Sequence, residues 1–361
     1  MPFLTAIGLM SGTSLDGVDA AWLETDGQTI RKTAPAITLH YEDSLRADLR
    51  HLLNIAPALA PTDPRLLSAE RRLTEDHAMA IALLARPAQL IGFHGQTILH
   101  APDAQKTWQT GDAALLARLT RTPVIHDFRS NDVQNGGQGA PLVPLFHAAL
   151  AENLQKPLII VNIGGVANLT YLGPNGEILA CDTGPGNGPL DDWIFAHTGQ
   201  PYDEDGKIAE NGHARQDRLA LLLSHPFFAK PAPKSLDRLT FSALVAEATK
   251  NLSLDDGAAT LAAFTAAAIA NAINLVAPTG RPVRMLVCGG GRKNRAIMSR
   301  LQKRVEAPVE PVESAGWDGD ALEAQCFAYL AVRSYLGLPL SLPTTTGVKT
   351  PMTGGVLVHP T

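Results

Sequence analysis

The stretch "AIGLMSGTSLDGVDAAWLET" spans Ala6 to Thr25. Two runs that read as strands, Thr5 to Met10 and Val18 to Glu24, flank a bend holding Gly12, Gly17, the hydroxyls of Ser11, Thr13 and Ser14, and the carboxylate of Asp16. A chain reversal needs one or two special residues. A bend with this many is a loop built to hold something. Glycines let backbone N–H groups line a concave anion site, and hydroxyls add donors. Asp16 would repel a phosphate, so its place here is understood if a magnesium ion or its water shell lies between the two. The bend is not a P-loop: it lacks the GK[ST] sequence and leads into a strand instead of a helix.

Working outward, a second turn at Asp26-Gly27 leads to a third strand, Thr29 to Ile37, which completes an antiparallel meander. The pattern then recurs. Leu158 to Ile163 is a continuous apolar run ending at Gly164-Gly165; Val166 to Leu172 follows, then a GPNG turn and a strand over Glu177 to Asp182. Helical patterns over Glu42 to Asn54 and Pro64 to Ala85, and strands over Ala88 to Gly95, Pro123 to Phe128 and Met285 to Val287, fill out the two halves. Two meanders with glycines in the first turn predict a duplicated α/β fold whose halves share architecture and little literal sequence. The turns at 11–17 and 164–165 are then expected to be related by pseudo-symmetry and to face one inter-domain cleft, where ligand sites prefer to lie.

The bulk properties narrow the function. The 361 residues carry a formal net charge of -5 and 45% hydrophobic side chains, which fits a two-domain globular protein. Lys and Arg are scattered apart from "GRKNR" (Gly291 to Arg295), too short for a nucleic-acid surface. Three distant cysteines, Cys181, Cys288 and Cys326, predict reduced thiols without a zinc site. No secretion signal is expected, and Leu261 to Pro278, Ala-rich and interrupted by Thr265, Asn271 and Asn274, predicts a buried helix instead of a membrane span.

Further motifs carry chemistry. Asp182, in "CDTGPGNGPLDDW", ends the third strand of the second meander, where a carboxylate can take a proton from an attacking oxygen or water; capping the next element is the competing reading. Gly289, Gly290 and Gly291 end a strand and permit a ring or ribose to lie on the backbone. His94, Gln96 and Thr97 in "FHGQTILH" offer hydrogen bonds suited to a sugar, although an isolated histidine is more often structural. Asn131 to Leu150 reads as a loop leading into a helix. Asp318 to Val332 reads as a helix with Leu322, Cys326, Tyr329 and Leu330 on its apolar face and Glu323 near its start.

"GLMSGTSLDGVD", "GFHGQT", "DFRSNDVQNGGQGAPLVP", "VNIGGVANLT", "CDTGPGN", "VCGGGRKN" and "EAQCFAYLAV", in that order along nearly the whole chain, resemble the anhydro-N-acetylmuramic acid kinases. The resemblance implies the duplicated actin-like ATPase (ribonuclease H-like) fold, with a first domain over 1–127 plus about 340–361 and a second over 128–339. It implies an ATP-dependent reaction that opens the 1,6-anhydro bridge of 1,6-anhydro-N-acetylmuramate with water while O6 receives the γ-phosphoryl group. The product, N-acetylmuramate 6-phosphate, belongs to peptidoglycan recycling in the cytoplasm. Carried onto this sequence, Gly12, Thr13, Ser14, Leu15, Asp16, Gly17, Val18 and Asp19 would bind ATP phosphates, with Asp16 near Mg2+. Gly289, Gly290 and Gly291 would border the nucleotide, joined by Gly164 and Gly165 of the second bend. Asp182 would activate the water, and Thr97, Arg129 and Glu323 fall in the sugar pocket. "ESAGWDGD" (Glu313 to Asp320) does not match the family pattern. A homodimer stays open, as do a sugar kinase acting on a free hydroxyl and a chaperone-type ATPase; the last lacks a strand-rich peptide-binding block.

Overall fold

A computed structural model describes residues 1–12, 15–277 and 280–361, with Arg238 and Leu239 described by their backbone only. The chain divides into two compact units, Met1–Glu152 with Ala321–Thr361, and Asn153–Asp320.

The first unit opens with β1 (Leu4–Ser11), β2 (Gly17–Thr25), β3 (Ile30–Thr33) and β4 (Ile37–His40). Helices α1 (Asp43–Ile55) and α2 (Pro64–Leu84) follow, then β5 (Leu90–Ala101), β6 (Lys106–Thr110), α3 (Ala113–Thr120), β7 (Val124–His126), α4 (Ser130–Gln134) and α5 (Pro144–Leu150). The second unit contains β8 (Leu158–Ile163), β9 (Val166–Leu172), β10 (Ile178–Pro185), α6 (Gly188–Thr198), α7 (Lys207–Asn211), α8 (Gln216–Leu223), α9 (Ser242–Thr249), α10 (Leu254–Val276), β11 (Arg284–Cys288), α11 (Arg295–Gln302) and β12 (Val309–Pro311). The chain then returns to the first unit with α12 (Leu322–Tyr335), α13 (Pro343–Thr346) and β13 (Val356–Val358).

Each unit is built on the same sheet. In the second the strand order is β10-β9-β8-β11-β12, a three-stranded antiparallel meander continued by two parallel strands. In the first it is β3-β2-β1-β5-β7, again a meander joined to parallel β5 and β7, with β13 added antiparallel at the edge. This repeated order matches the duplication expected from the two meanders and the ribonuclease H-like topology that the resemblance implies. The expected third strand at 29–37 is two strands. β3 pairs with the far end of β2 and β4 with its near end, and Pro35, which has no N–H to give the ladder, falls in the break.

β8 is buried at every position, as a central strand between two neighbours should be. Its Ile159, Val161 and Ile163 pack with Leu261, Ala262, Ala266 and Ile269 of α10. That helix is the apolar stretch expected to be buried: among the described residues it is the one helix long and apolar enough to cross a membrane, and 72% of its most apolar window is covered. In the first unit, Ile7 and Leu9 of β1 join Leu45 and Leu49 of α1 and Leu66, Ala69 and Leu73 of α2.

The unit boundaries differ from the expected 1–127 plus 340–361 and 128–339. Helix α12 belongs to the first unit because it lies directly on β1 and β5. A Cβ on Gly8 would run into the carbonyl of Ala324, and one on Gly92 into that of Phe327. Segment 128–152 also stays with the first unit, where Phe146 of α5 packs on Tyr329 of α12 at a ring separation of 5.7 Å. The C-terminal strand pairs back onto β7. All three cysteines are buried, and none is joined in a disulfide.

Candidate active site

In the first unit the bend after β1 is fastened from below. Ser11, at the end of β1, sits opposite Gln96 of β5; its hydroxyl donates to Gln96 Oε1 at 2.6 Å and receives the Tyr41 hydroxyl at 2.8 Å. All three are buried, and burial pushes the Tyr41 phenol far above its ordinary range, so it remains a donor. Beyond Gly12, the expected contacts of Thr13 and Ser14 lie outside the described residues. Leu15 adopts a left-handed conformation (φ 57°), its N–H reaching Gly12 O at 3.2 Å while Arg46 Nε donates to its carbonyl at 3.0 Å. The carbonyl of Asp16 accepts from the N–H of Tyr41 at 3.1 Å. Gly17 is needed because β4 crosses so closely that a Cβ would meet the carbonyl of Leu39.

This fastening sorts the expected phosphate residues. Leu15 and Val18 are core side chains, so only their backbone can serve a ligand. Asp16 is exposed at the bend. Asp19 lies on β2, where its carboxylate accepts the Thr38 hydroxyl at 2.5 Å.

A second cluster in the same unit surrounds Arg129, which immediately precedes α4. Its Nε donates to His94 Nε2 at 3.1 Å, its Nη1 to the carbonyl of Gly139 at 2.8 Å, and its guanidinium lies 5.9 Å from the Phe327 ring centre. His94 Nδ1 faces the carbonyl of Gly95 at 2.8 Å. A carbonyl accepts only, so Nδ1 carries the proton and Nε2 is the acceptor for the guanidinium. Burial, reinforced by the Arg129 charge, holds His94 well below its ordinary pKa and therefore neutral. Glu323 is exposed in the first turn of α12. It and Arg129 both act on the buried Cys326 thiol, which burial first and then Glu323 push upward while Arg129 opposes. Thr97 follows Gln96 on β5; its hydroxyl accepts from Gln109 Nε2 at 3.2 Å.

Asp132, which the sequence reading passed over, organises this region. Its buried carboxylate takes the N–H of Gly139 at 2.7 Å and the hydroxyls of Thr346, at 2.6 Å, and Ser341. It ties the glycine-rich loop to the C-terminal segment and so sets the Gly139 carbonyl that holds Arg129. An Asp seven residues before a glycine is too common a pattern to be found without the fold.

The second unit gathers its glycines at one end of the sheet. The carbonyl of Gly164 accepts from Asn187 N–H at 2.7 Å and that of Gly165 from Gly186 N–H at 3.0 Å. Gly289, at φ 74°, lies so close to Asn162 and Ile163 that a Cβ would strike both, and one on Gly291 would strike Ile163. Gly164, Gly165 and Gly289–Gly291 therefore meet where β8 and β11 end. Cross-strand register adds a polar row that the sequence reading missed: Asp182 of β10 faces Asn168 of β9, which faces Asn162 of β8. The two asparagines stand symmetrically about Gly165, a signal visible once the hairpin is assumed.

Asp182 is buried. Its N–H donates to the Lys234 carbonyl at 2.9 Å, and its Oδ2 receives the N–H of Leu236 at 2.8 Å. Immediately after it the β10–β9 register shifts, so Thr183 is an extra residue in the strand. A bulge of this kind re-aims a side chain and recurs beside active sites. The unmatched 313–320 segment clamps the basic pair after the glycines: Arg292 bonds Glu313 at 2.8 Å and Asp320 at 3.0 Å, and Lys293 reaches Asp320 at 2.9 Å. Among the described residues no group of three His, Cys, Asp or Glu side chains is placed to hold a metal.

Two copies of one sheet, each with a glycine-lined bend after its first strand, define a protein of the actin-like ATPase class. The chain belongs to the anhydro-N-acetylmuramic acid kinase family, whose sequence profile matches residues 4–360. The anhydro-N-acetylmuramic acid kinase of Acidiphilium cryptum is 65% identical over 98% of this chain and 98% of its own. That of Gluconobacter oxydans is 52% identical over 97% and 98%. A ROK family glucokinase from Streptomyces griseus, solved with glucose and AMPPNP, aligns at a TM-score of 0.43 and 13% identity, covering 91% of this chain and 99% of that one.

Proposed function

We propose that this chain is an ATP-dependent kinase that opens the 1,6-anhydro ring of 1,6-anhydro-N-acetylmuramate with water and phosphorylates O6, releasing ADP and N-acetylmuramate 6-phosphate in cytoplasmic peptidoglycan recycling. Full-length membership of the kinase family carries this reading. The chemistry asks for one carboxylate that can take a proton from water attacking C1. The departing O6 is captured by phosphorus, so no second carboxylic acid is required as proton donor, unlike in ordinary glycoside hydrolysis. Asp182 suits the first role: it is buried, oriented by the Leu236 amide, and stands at a bulge.

In this reading the bend at 12–19 takes the ATP phosphates and Gly164, Gly165 and Gly289–Gly291 border the nucleotide. Arg129, Thr97 and Glu323 contact the sugar. Asp16 suits a magnesium ion of the usual kind, which takes one or two carboxylates and fills its remaining positions with waters and phosphates. Its backbone is pinned by Tyr41 while its side chain is exposed. Magnesium would offset negative charge on the transferring phosphoryl group.

Incubation with magnesium-ATP and the anhydro-sugar in oxygen-18 water tests the proposal. Label at C1 together with phosphate on O6 is expected. Phosphorylation of glucose without an anhydro ring, or an unlabelled C1, overturns it.

A further inference from the structure

Pro201 to Asp237 is the least regular part of the sequence, and the reaction above leaves it unused. Within it lies a buried cation. Lys234 is 5% exposed, and its Nζ donates to the carbonyl of Phe227 at 2.9 Å while lying 4.3 Å from the centre of the Phe227 ring. A buried ammonium is costly unless something nearby favours its charge. Here the backbone of the same residue is bonded to Asp182, whose N–H reaches the Lys234 carbonyl, and two residues on Leu236 donates to the Asp182 carboxylate.

We propose that Lys234 is a positioning residue for Asp182: anchored on the Phe227 carbonyl and ring, it holds the 234–236 segment along β10, so that the Leu236 N–H stays on the Asp182 carboxylate. This rests on the assignment of Asp182 as the base. The physical need is specific. A base must be ionised to accept a proton from water, and Asp182 is 7% exposed. The Leu236 amide donates to its Oδ2 at 2.8 Å, a hydrogen bond made to the ionised carboxylate.

Among the described residues, three groups act on the Lys234 charge. Lys234 feels Cys181 and Asp182, which favour its charge, and Lys230, which opposes it; burial is the largest influence and lowers its pKa. Cys181, next to Asp182, is pushed up to about 12 by burial and then by Asp182, so it remains a neutral thiol at any working pH. From β9 the carboxylate faces Asn168, which is uncharged, and α10 brings Ala268 and Thr265 to Gly184 and Gly186.

The test is the pH profile of kcat/KM for the anhydro-sugar in Lys234→Met and Lys234→Arg variants of the full chain. Lys234→Met is expected to move the acid limb upward by about one pH unit, which is a roughly ten-fold loss at pH values on the acid side of the limb, with KM for ATP changed less than two-fold. Lys234→Arg restores the limb. A Lys234→Met enzyme that melts like the parent and keeps the parent's acid limb overturns the proposal. Should Lys234→Met fail to fold, the Asp182 carboxyl is titrated by carbon-13 NMR in Lys234→Gln and in the parent; equal values overturn it. Asp182→Asn separates the two claims: if that variant keeps near-normal turnover, the base assignment fails, whatever Lys234 does to the carboxyl titration.

Discussion

Arg129 shows how much a single residue's environment adds to its identity. The sequence offers a guanidinium; the fold fixes it with the neutral ring of His94, the carbonyl of Gly139 and the face of Phe327. Three fixed partners, on β5, on the glycine-rich loop and on α12, leave its plane little rotational freedom. Lysine would retain the charge and lose the fork that bonds Nε and Nη1 separately. Arg129→Lys is therefore expected to raise KM for the anhydro-sugar about ten-fold, roughly 1.4 kcal/mol, with KM for ATP unchanged. Steady-state kinetics with each substrate varied in turn check this, and an unaltered sugar KM removes Arg129 from the sugar site. The residue type was legible in "DFRSNDVQNGGQGAP", but its partners were not, because His94 is thirty-five residues away in sequence and Asp132 acts only through the backbone of Gly139.

At the scale of elements, the meanders were readable because alternation and glycine turns are local. The bulges were not. β5 carries an extra residue near His94 and Gly95 against β1, and β10 carries Thr183 against β9; each is defined by a partner strand that sequence alone does not supply. Both bulges stand beside residues assigned chemistry, which is why the polar groups and the regular pattern part company there. Strand β6 was likewise unread, being a short polar return of β5 whose apolar content is one tryptophan. Helix α12 was read as a helix, but its seat was not, because the signal for it is the absence of side chains at Gly8 and Gly92 on distant strands. A methyl on Gly8 would have to displace the backbone of Ala324 and Ala328, which cannot rotate away. Gly8→Ala is accordingly expected to cost about 2–3 kcal/mol and several degrees of melting temperature. Because α12 carries Glu323 and the Phe327 ring under Arg129, sugar KM should rise more than ATP KM in whatever protein remains folded. A melt identical to the parent's would show that the helix is not seated as described.

Over the whole molecule, the two units share a topology and are expected to differ in how they respond to acid. Helix α12 follows the second unit in sequence while its apolar face serves the first, a relation that the order of elements along the chain does not carry. With the division made by packing, the buried histidines His77, His94 and His147 all fall in the first unit, and no histidine of the second is buried among the described residues. Burial lowers His77 to about 4 and His147 to about 3, and holds His94 below its ordinary value as well. Between pH 6.5 and those values the unfolded chain binds protons that the folded unit refuses, so folding stability rises with pH and falls on acidification. The stability is fully present above about pH 6.5, the ordinary histidine value, and is lost progressively as pH drops toward 4 and then 3. His77 alone accounts for a loss on the order of 3 kcal/mol across its window. Hydrogen exchange followed by mass spectrometry, with the pH lowered from 7 to 4.5 and rates corrected for intrinsic pH dependence, should show protection falling first in peptides from α2, β5 and α5. Peptides from β8 and α10 should hold theirs. His77→Leu should flatten the slope in the first unit, because the group that gains the proton on unfolding is gone. Equal loss in both units, or a slope unchanged by that substitution, would mean that carboxylate protonation, not the buried imidazoles, governs acid sensitivity.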